Sequence, residues 1–203
     1  TRFPDGTPFS STHRLECVGI LFDNEYHYFD IEHSGNPYHL ALGEIARLFN
    51  EADIIVGFNV KFDLHFLRRY IPRLVVRSVY CGQLAEFLLS NLQSVYASVV
   101  MCAGRYGLSP KLDSIKRDYW DNGLDTSEVP SAVLKERVLD DVRLHYEVYT
   151  KQLPLLEHQG KLALFRLQCD DLLVLQEMEF NGMLYDHETS LEHGALVVSE
   201  LED

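Results

Sequence analysis

The apolar positions of this chain change period as it runs, from short alternating or continuous stretches at the start to long helical patterns at the end. Leu15–Phe22 (LECVGILF) and Tyr26–Ile31 (YHYFDI) are β-type runs separated by Asp23-Asn24-Glu25, which predicts a hairpin. In Leu40–Ala52 the residues Leu42, Ile45, Leu48 and Phe49 fall at helical spacing. Asp53–Phe58 (DIIVGF) reads as a short buried parallel strand. Helix-type sequence follows over Lys61–Tyr70, with Pro72 marking its end. Val75–Tyr80 reads as another strand, leading into a helix around Gln83–Leu92. Further helices are expected over Tyr96–Tyr106, Leu112–Tyr119, Ser131–Lys151 (closed by Pro154) and Leu162–Phe180 (broken at Asn181-Gly182). The first eleven residues, rich in Pro, Gly, Ser and Thr, read as a loop. A hairpin, then alternating helix and strand, then helices predicts an α/β fold with a mixed sheet and a C-terminal helical extension.

Composition narrows this only a little. The 203 residues are enough for one domain and a short extension, and 46% hydrophobic with 24% charged residues is ordinary globular usage. No apolar run approaches the roughly 20 residues of a membrane helix, and no basic-then-apolar leader opens the chain, so a cytoplasmic protein without a membrane partner is expected. Cys17, Cys81, Cys102 and Cys169 form no CxxC pair and read as ordinary thiols. The nine histidines are scattered and support no metal cluster. A net charge of −13, from 31 acidic and 18 basic residues, argues against duplex binding through Lys and Arg alone. It leaves open a nuclease site, where carboxylates hold cations and the cations meet phosphate.

Two segments carry candidate chemistry. Val56–Leu67 (VGFNVKFDLHFL) puts Asn59 and Asp63 one turn apart on one face of a helix that leaves a buried strand. Ligands of α/β sheets bind at the carboxyl ends of strands, where these side chains would lie. The plainer reading is that Asn59 caps the helix and Asp63 sits in its first turn because the helix dipole favours it. Leu134–Tyr149 (LKERVLDDVRLHYEVY) is a helix in which Val138, Val142 and His145 or Tyr146 share a face bordered by Asp141. A carboxylate at the edge of an apolar face needs a basic partner or a metal. The plainer reading of Asp140-Asp141 is a solvated acidic pair.

Taken together, the order strand, NxxxD, helix and, much later, a helical Asp resembles the DEDD family of 3′→5′ exonucleases. More closely it resembles the ribonuclease H-like proofreading domain of family A (polymerase I-like) DNA polymerases, especially those of bacteriophages. Asn59-Val60-Lys61-Phe62-Asp63 is similar to that family's NxxFD or NxxYD motif, and Asp141-Val142 to the Asp-Val core of its third motif. Gln83–Ser90 and Lys111–Ile115 look like its connecting helices. Leu172–Asp186 (LLVLQEMEFNGMLYD) is similar to the segment leading from exonuclease into polymerase. The resemblance implies an exonuclease domain over 1–155 and the helical start of a polymerase domain over 156–203. It implies two-metal hydrolysis of a 3′-terminal phosphodiester with two divalent cations, Mg²⁺ or Mn²⁺. Asp63 and Asp141 would be the catalytic metal carboxylates, Asn59 a substrate contact, and Phe62 a residue packing beneath the site. The partner would be a single-stranded or frayed DNA 3′ terminus, with Tyr70, Tyr106 and Phe66 as candidates for stacking on bases.

The match departs from the family pattern in two places. The family's first motif, Asp-x-Glu, has a counterpart in Asp30-Ile31-Glu32, but this lies too close in sequence to Asp63 and reads as acids closing a hairpin. The expectation is therefore a motif upstream of Thr1, and a fragment that cuts slowly or not at all by itself. In the third motif, the family's Tyr four residues before the aspartate is replaced by Arg137, which would share a helix face with Asp141 and pair with it. The alternative expectation is a non-catalytic exonuclease-fold scaffold that binds DNA or a protein partner.

Overall fold

The hairpin turns on Asp23 and Asn24, both with positive φ (48° and 65°), a backbone that suits the twist of a two-residue connection. It joins β1 (Cys17–Phe22) to β2 (Glu25–Asp30), antiparallel from Phe22 opposite Glu25 to Cys17 opposite Asp30. The computed structural model describes residues 8–10, 13–33, 39–109 and 114–202. Most of the loop expected at the start, and positions 111–113 of the Lys111–Ile115 segment, lie outside the described residues.

After α1 (His39–Glu51) comes β3 (Ile55–Gly57), and α2 (Val60–Tyr70) carries the chain to β4 (Val79–Cys81), which runs parallel to β3. The strand expected over Val75–Tyr80 is thus confined to its end: Val75 is largely exposed, and only Val79, Tyr80 and Cys81 are fully covered. Then follow α3 (Gly82–Leu89), α4 (Val99–Tyr106), the short α5 (Ser114–Asp118) and two 3₁₀ turns, Trp120–Asn122 and Thr126–Glu128. Three helices close the chain: α6 (Ser131–His158), α7 (Leu162–Asn181) and α8 (His187–Glu202). The fold is mixed α/β. Among the described residues its strands form two ladders, one antiparallel and one parallel, and α6 packs against both. No helix among these residues is long and apolar enough to cross a membrane.

Helix α6 was expected to close before Pro154, yet it runs four residues further. Proline removes one backbone hydrogen bond and crowds the carbonyl a turn earlier. Burial of the last turn outweighs that cost: Leu156 is completely enclosed, and Gly160 (φ 65°) lets the Lys161 N–H close back on the Leu156 carbonyl at 2.8 Å.

The main core lies between α1, α2, β4, α3 and the ends of α6 and α7. Tyr80 is at its centre, with ring centroids 4.7 Å from Tyr149 and 4.6 Å from Phe165. Phe165, Cys169 and Leu172 bring one face of α7 into this core, whereas α8 is exposed along almost its whole length. Two further devices hold α6 in place. Gln152, fully buried, donates to the Gly82 carbonyl at 3.1 Å and to Glu86 at 3.0 Å, and Glu86 also receives the Tyr106 hydroxyl at 2.5 Å and pairs with Arg105. At the other end, Gly19 lets α6 approach β1 closely. A Cβ there would stand 2.6 Å from Val138 Cγ1 and 3.0 Å from Val142 Cγ2.

Both valines are β-branched and have little rotamer freedom on a helix. Gly19→Val is therefore expected to displace α6 from β1 and cost about 1–3 kcal/mol of stability. Urea unfolding of the two proteins measures this, and an unchanged midpoint would show that the close approach has no energetic role.

Candidate functional site

The site is built where β3 ends. Gly57 closes the strand, and the chain turns through Phe58 and Asn59 into α2. Asn59 holds a left-handed backbone (φ 58°, ψ 45°), one of the few residue types that tolerates it, and its carbonyl accepts from Phe62 N–H at 3.0 Å. It occupies the N-cap position, but its side chain makes no capping bond. The plain capping role does not account for this asparagine.

One turn on, Asp63 remains open to solvent although protein atoms crowd around it. Its carboxyl is pushed up to about 7, first by loss of hydration and then by the negative charge of Asp141. The two aspartates that the sequence singled out, one on α2 and one on α6, thus lie within electrostatic reach of each other.

Helix α6 brings three side chains to this cleft at successive turns: Arg137, Asp141 and His145. Arg137 is only 7% exposed, and its guanidinium forms an ion pair with the Asp141 carboxylate, as their four-residue spacing predicted. Burial raises the Asp141 pKa, while Arg137 and His145 act to lower it and Asp140 to raise it. His145 is held toward its neutral form, mainly by burial; Asp141 opposes that shift and Arg137 adds to it. The His145 ring lies 6.0 Å from that of Phe58, so the cleft has an apolar wall beside its charges. The adjacent acids take different partners. Asp140 accepts from Arg143 at 2.8 and 3.0 Å, and Arg143 reaches Glu147 at 2.6 Å.

The opposite face of α2 is clasped by α7. Glu179 receives Lys61 Nζ at 2.7 Å and lies 2.9 Å from His65 Nε2, and Gln176 meets His65 Nδ1 at 3.2 Å. With its proton on Nε2, buried His65 donates to Glu179 and accepts from Gln176, satisfying both ring nitrogens. Arg68 pairs with Glu177 one turn on. His65 is therefore turned to α7 and Asp63 to α6, as expected for residues two apart on a helix.

Other sequence candidates fall into structural roles. Phe62 is half-buried with its ring 5.2 Å from Phe66, and Phe66 is core. Tyr70 donates to Glu32 at 2.6 Å and accepts from Leu15 N–H at 3.1 Å, and Arg14 stands 3.5 Å from the same Glu32. Tyr106 is held by Glu86. Glu32 of the Asp30-Ile31-Glu32 run thus anchors the hairpin to α2 and is not part of the cleft. His145 was not among the candidate site residues of the sequence, yet it acts on Asp141. Its signal was the four-residue spacing from Asp141.

For divalent cations the described residues supply part of a donor set. Two oxygen-donor carboxylates share one cleft, but Arg137 already occupies one of them, and no group of three or more His, Cys, Asp or Glu among the described residues is arranged to hold a metal ion. No protein-family model matches the chain, and no curated protein matches it.

The pKa of Asp63 has a direct consequence for stability. A carboxyl near 3.8 unfolded and about 7 folded binds more protons in the native state, so stability falls as pH rises between those values and the loss is complete above them. Asp63→Asn removes that loss. The variant is expected to melt above the wild type at pH 8, with the gap narrowing toward pH 4. Thermal melts across this range decide it, and a gap independent of pH would place the carboxyl in ordinary solvent.

Proposed function

We propose that this chain is the proofreading 3′→5′ exonuclease region of a family A DNA polymerase of bacteriophage type. In this reading its fold is ribonuclease H-like, residues 156–203 lead into a polymerase domain of the same polypeptide, and it works in the host cytoplasm on a single-stranded or frayed DNA 3′ terminus. The observation that carries the proposal is that the charge of Asp141 acts on Asp63, which stands just past the carboxyl end of a parallel strand, although the two lie far apart in sequence. That is the position at which α/β folds place ligands.

When bound, two Mg²⁺ or Mn²⁺ ions would supply an activated water and stabilisation of the leaving 3′ oxygen. The chain's own part is to hold Asp63 and Asp141 as their carboxylate ligands and to keep that cleft fixed between α2 and α6. Asn59, in its left-handed corner, is the proposed substrate contact, and Phe62 backs the turn from within by packing on Phe66. The further carboxylates the reaction needs are not joined to this pair among the described residues. By this reading the chain alone cuts slowly or not at all, and a strand bearing Asp-x-Glu completes it.

A second reading, a non-catalytic scaffold on the same fold, is favoured by one observation: Arg137 holds Asp141 where the related enzymes have a tyrosine. Degradation of a 5′-labelled single-stranded oligonucleotide with Mn²⁺ separates the two. The arms are this chain, a version extended upstream, and Asp63→Ala in that version. Trimming from the 3′ end by the extended protein, absent from its Asp63→Ala variant, is the expected result. An extended protein inert at every metal concentration would transfer the case to the scaffold.

A further inference from the structure

We infer that Arg137 is the resident counter-ion of the Asp63–Asp141 pair, and that a divalent cation enters this cleft only by displacing the guanidinium from Asp141. The inference rests on the reading of the two aspartates as cation ligands, but not on any nuclease activity.

Two acidic groups share this cleft with one permanent positive charge. Arginine is not deprotonated in proteins, so its charge leaves the site only if the side chain moves. Arg137 is 7% exposed and points into the fold one turn ahead of Asp141, where it forms an ion pair. A buried guanidinium without a carboxylate partner is strongly unfavourable, which ties Arg137 to this position while the cleft is empty of other cations. Among the described residues no basic side chain acts on Asp63: burial and Asp141 account for the shift of its carboxyl.

A dication placed between the aspartates would meet the guanidinium at close range. That repulsion is strongest close to the buried guanidinium, and one of the two Asp141 oxygens, Oδ2, is already paired with it. Binding is then an exchange of one cation for another. The site accordingly takes one ion weakly, with Asp63 as its first ligand, and takes it better once position 137 is neutral. An ordinary helix ion pair without this role would leave cation affinity insensitive to residue 137.

The test is Mn²⁺ binding at pH 8, read from the electron paramagnetic resonance of the unbound ion. The proteins are this chain, Arg137→Met, Arg137→Lys, Asp63→Ala, and Arg137→Met combined with Asp63→Ala. Methionine keeps the bulk and flexibility of the buried stem without charge. Arg137→Met is expected to bind Mn²⁺ roughly tenfold or more tightly than wild type. Arg137→Lys should stay close to wild type, and Asp63→Ala should abolish the gain. Equal affinities in Arg137→Met and wild type, both lost with Asp63→Ala, would overturn the gate and leave the cation site standing. Absence of Asp63-dependent binding in every form would overturn both. If Arg137→Met does not fold, Mg²⁺ titration of the wild type followed at the Arg137 Nε–H resonance takes its place. Displacement requires that resonance to move in step with ion binding, and a resonance unmoved at saturation refutes it.

Discussion

The structure depends on one helix lying across two ladders that do not pair with each other. Helix α6, about 42 Å long at the usual rise, is the element that touches β1, β2 and β3 alike. Its placement is set at two points of opposite character. Near its start, two stiff valines meet a residue with no side chain, Gly19, so the limit is steric. Toward its end, Gln152 is enclosed among Gly82, Glu86 and Tyr80, so the limit is one of polar groups that must stay satisfied. Asp141 lies at the first of these points, between Val138 and Val142 in sequence, so its placement follows from the close approach to Gly19.

That arrangement brings like charges together, a contact no fold adopts for stability's sake. The cleft tolerates it by two routes. Asp63 remains open to water and is free to take up a proton near neutrality. Asp141 is more enclosed and leans on Arg137. The aspartates are therefore not equivalent: burial pushes both carboxyls up, and on Asp141 the Arg137 guanidinium opposes it. Perturbed carboxylates gathered in a cleft are a common accompaniment of function, although structural ion-pair networks shift carboxylates too.

Much of this was legible in the sequence, and what was not has physical reasons. The short β-branched run before Asn59 announced a strand, and the spacing of Asn59 and Asp63 announced a helix starting at its end. The adjacent acids at 140 and 141 were harder, because periodicity puts Asp141 only at the border of an apolar face. What decides its orientation is the buried arginine a turn earlier, and pattern reading places arginines outside. The continuation of α6 past Pro154 was missed because local propensity says nothing of Leu156, whose burial holds the final turn. Tyr70 and Tyr106 drew notice as aromatics near the candidate motifs. Only the fold reveals that each spends its hydroxyl on a carboxylate, Glu32 or Glu86.

The clasp between α2 and α7 bears on the order of assembly. Lys61 and His65 bracket Asp63 in sequence, and both are secured by Glu179, more than a hundred positions later. Contacts between neighbouring segments, such as the β1–β2 hairpin, close small loops and carry little entropic cost. Those joining α2 to α7 close large ones. The repulsion between the aspartates is consequently absent from the early, local stages of folding. It arises only when the C-terminal helices dock, at which point the accumulated burial around Tyr80 and Phe165 is available to oppose it.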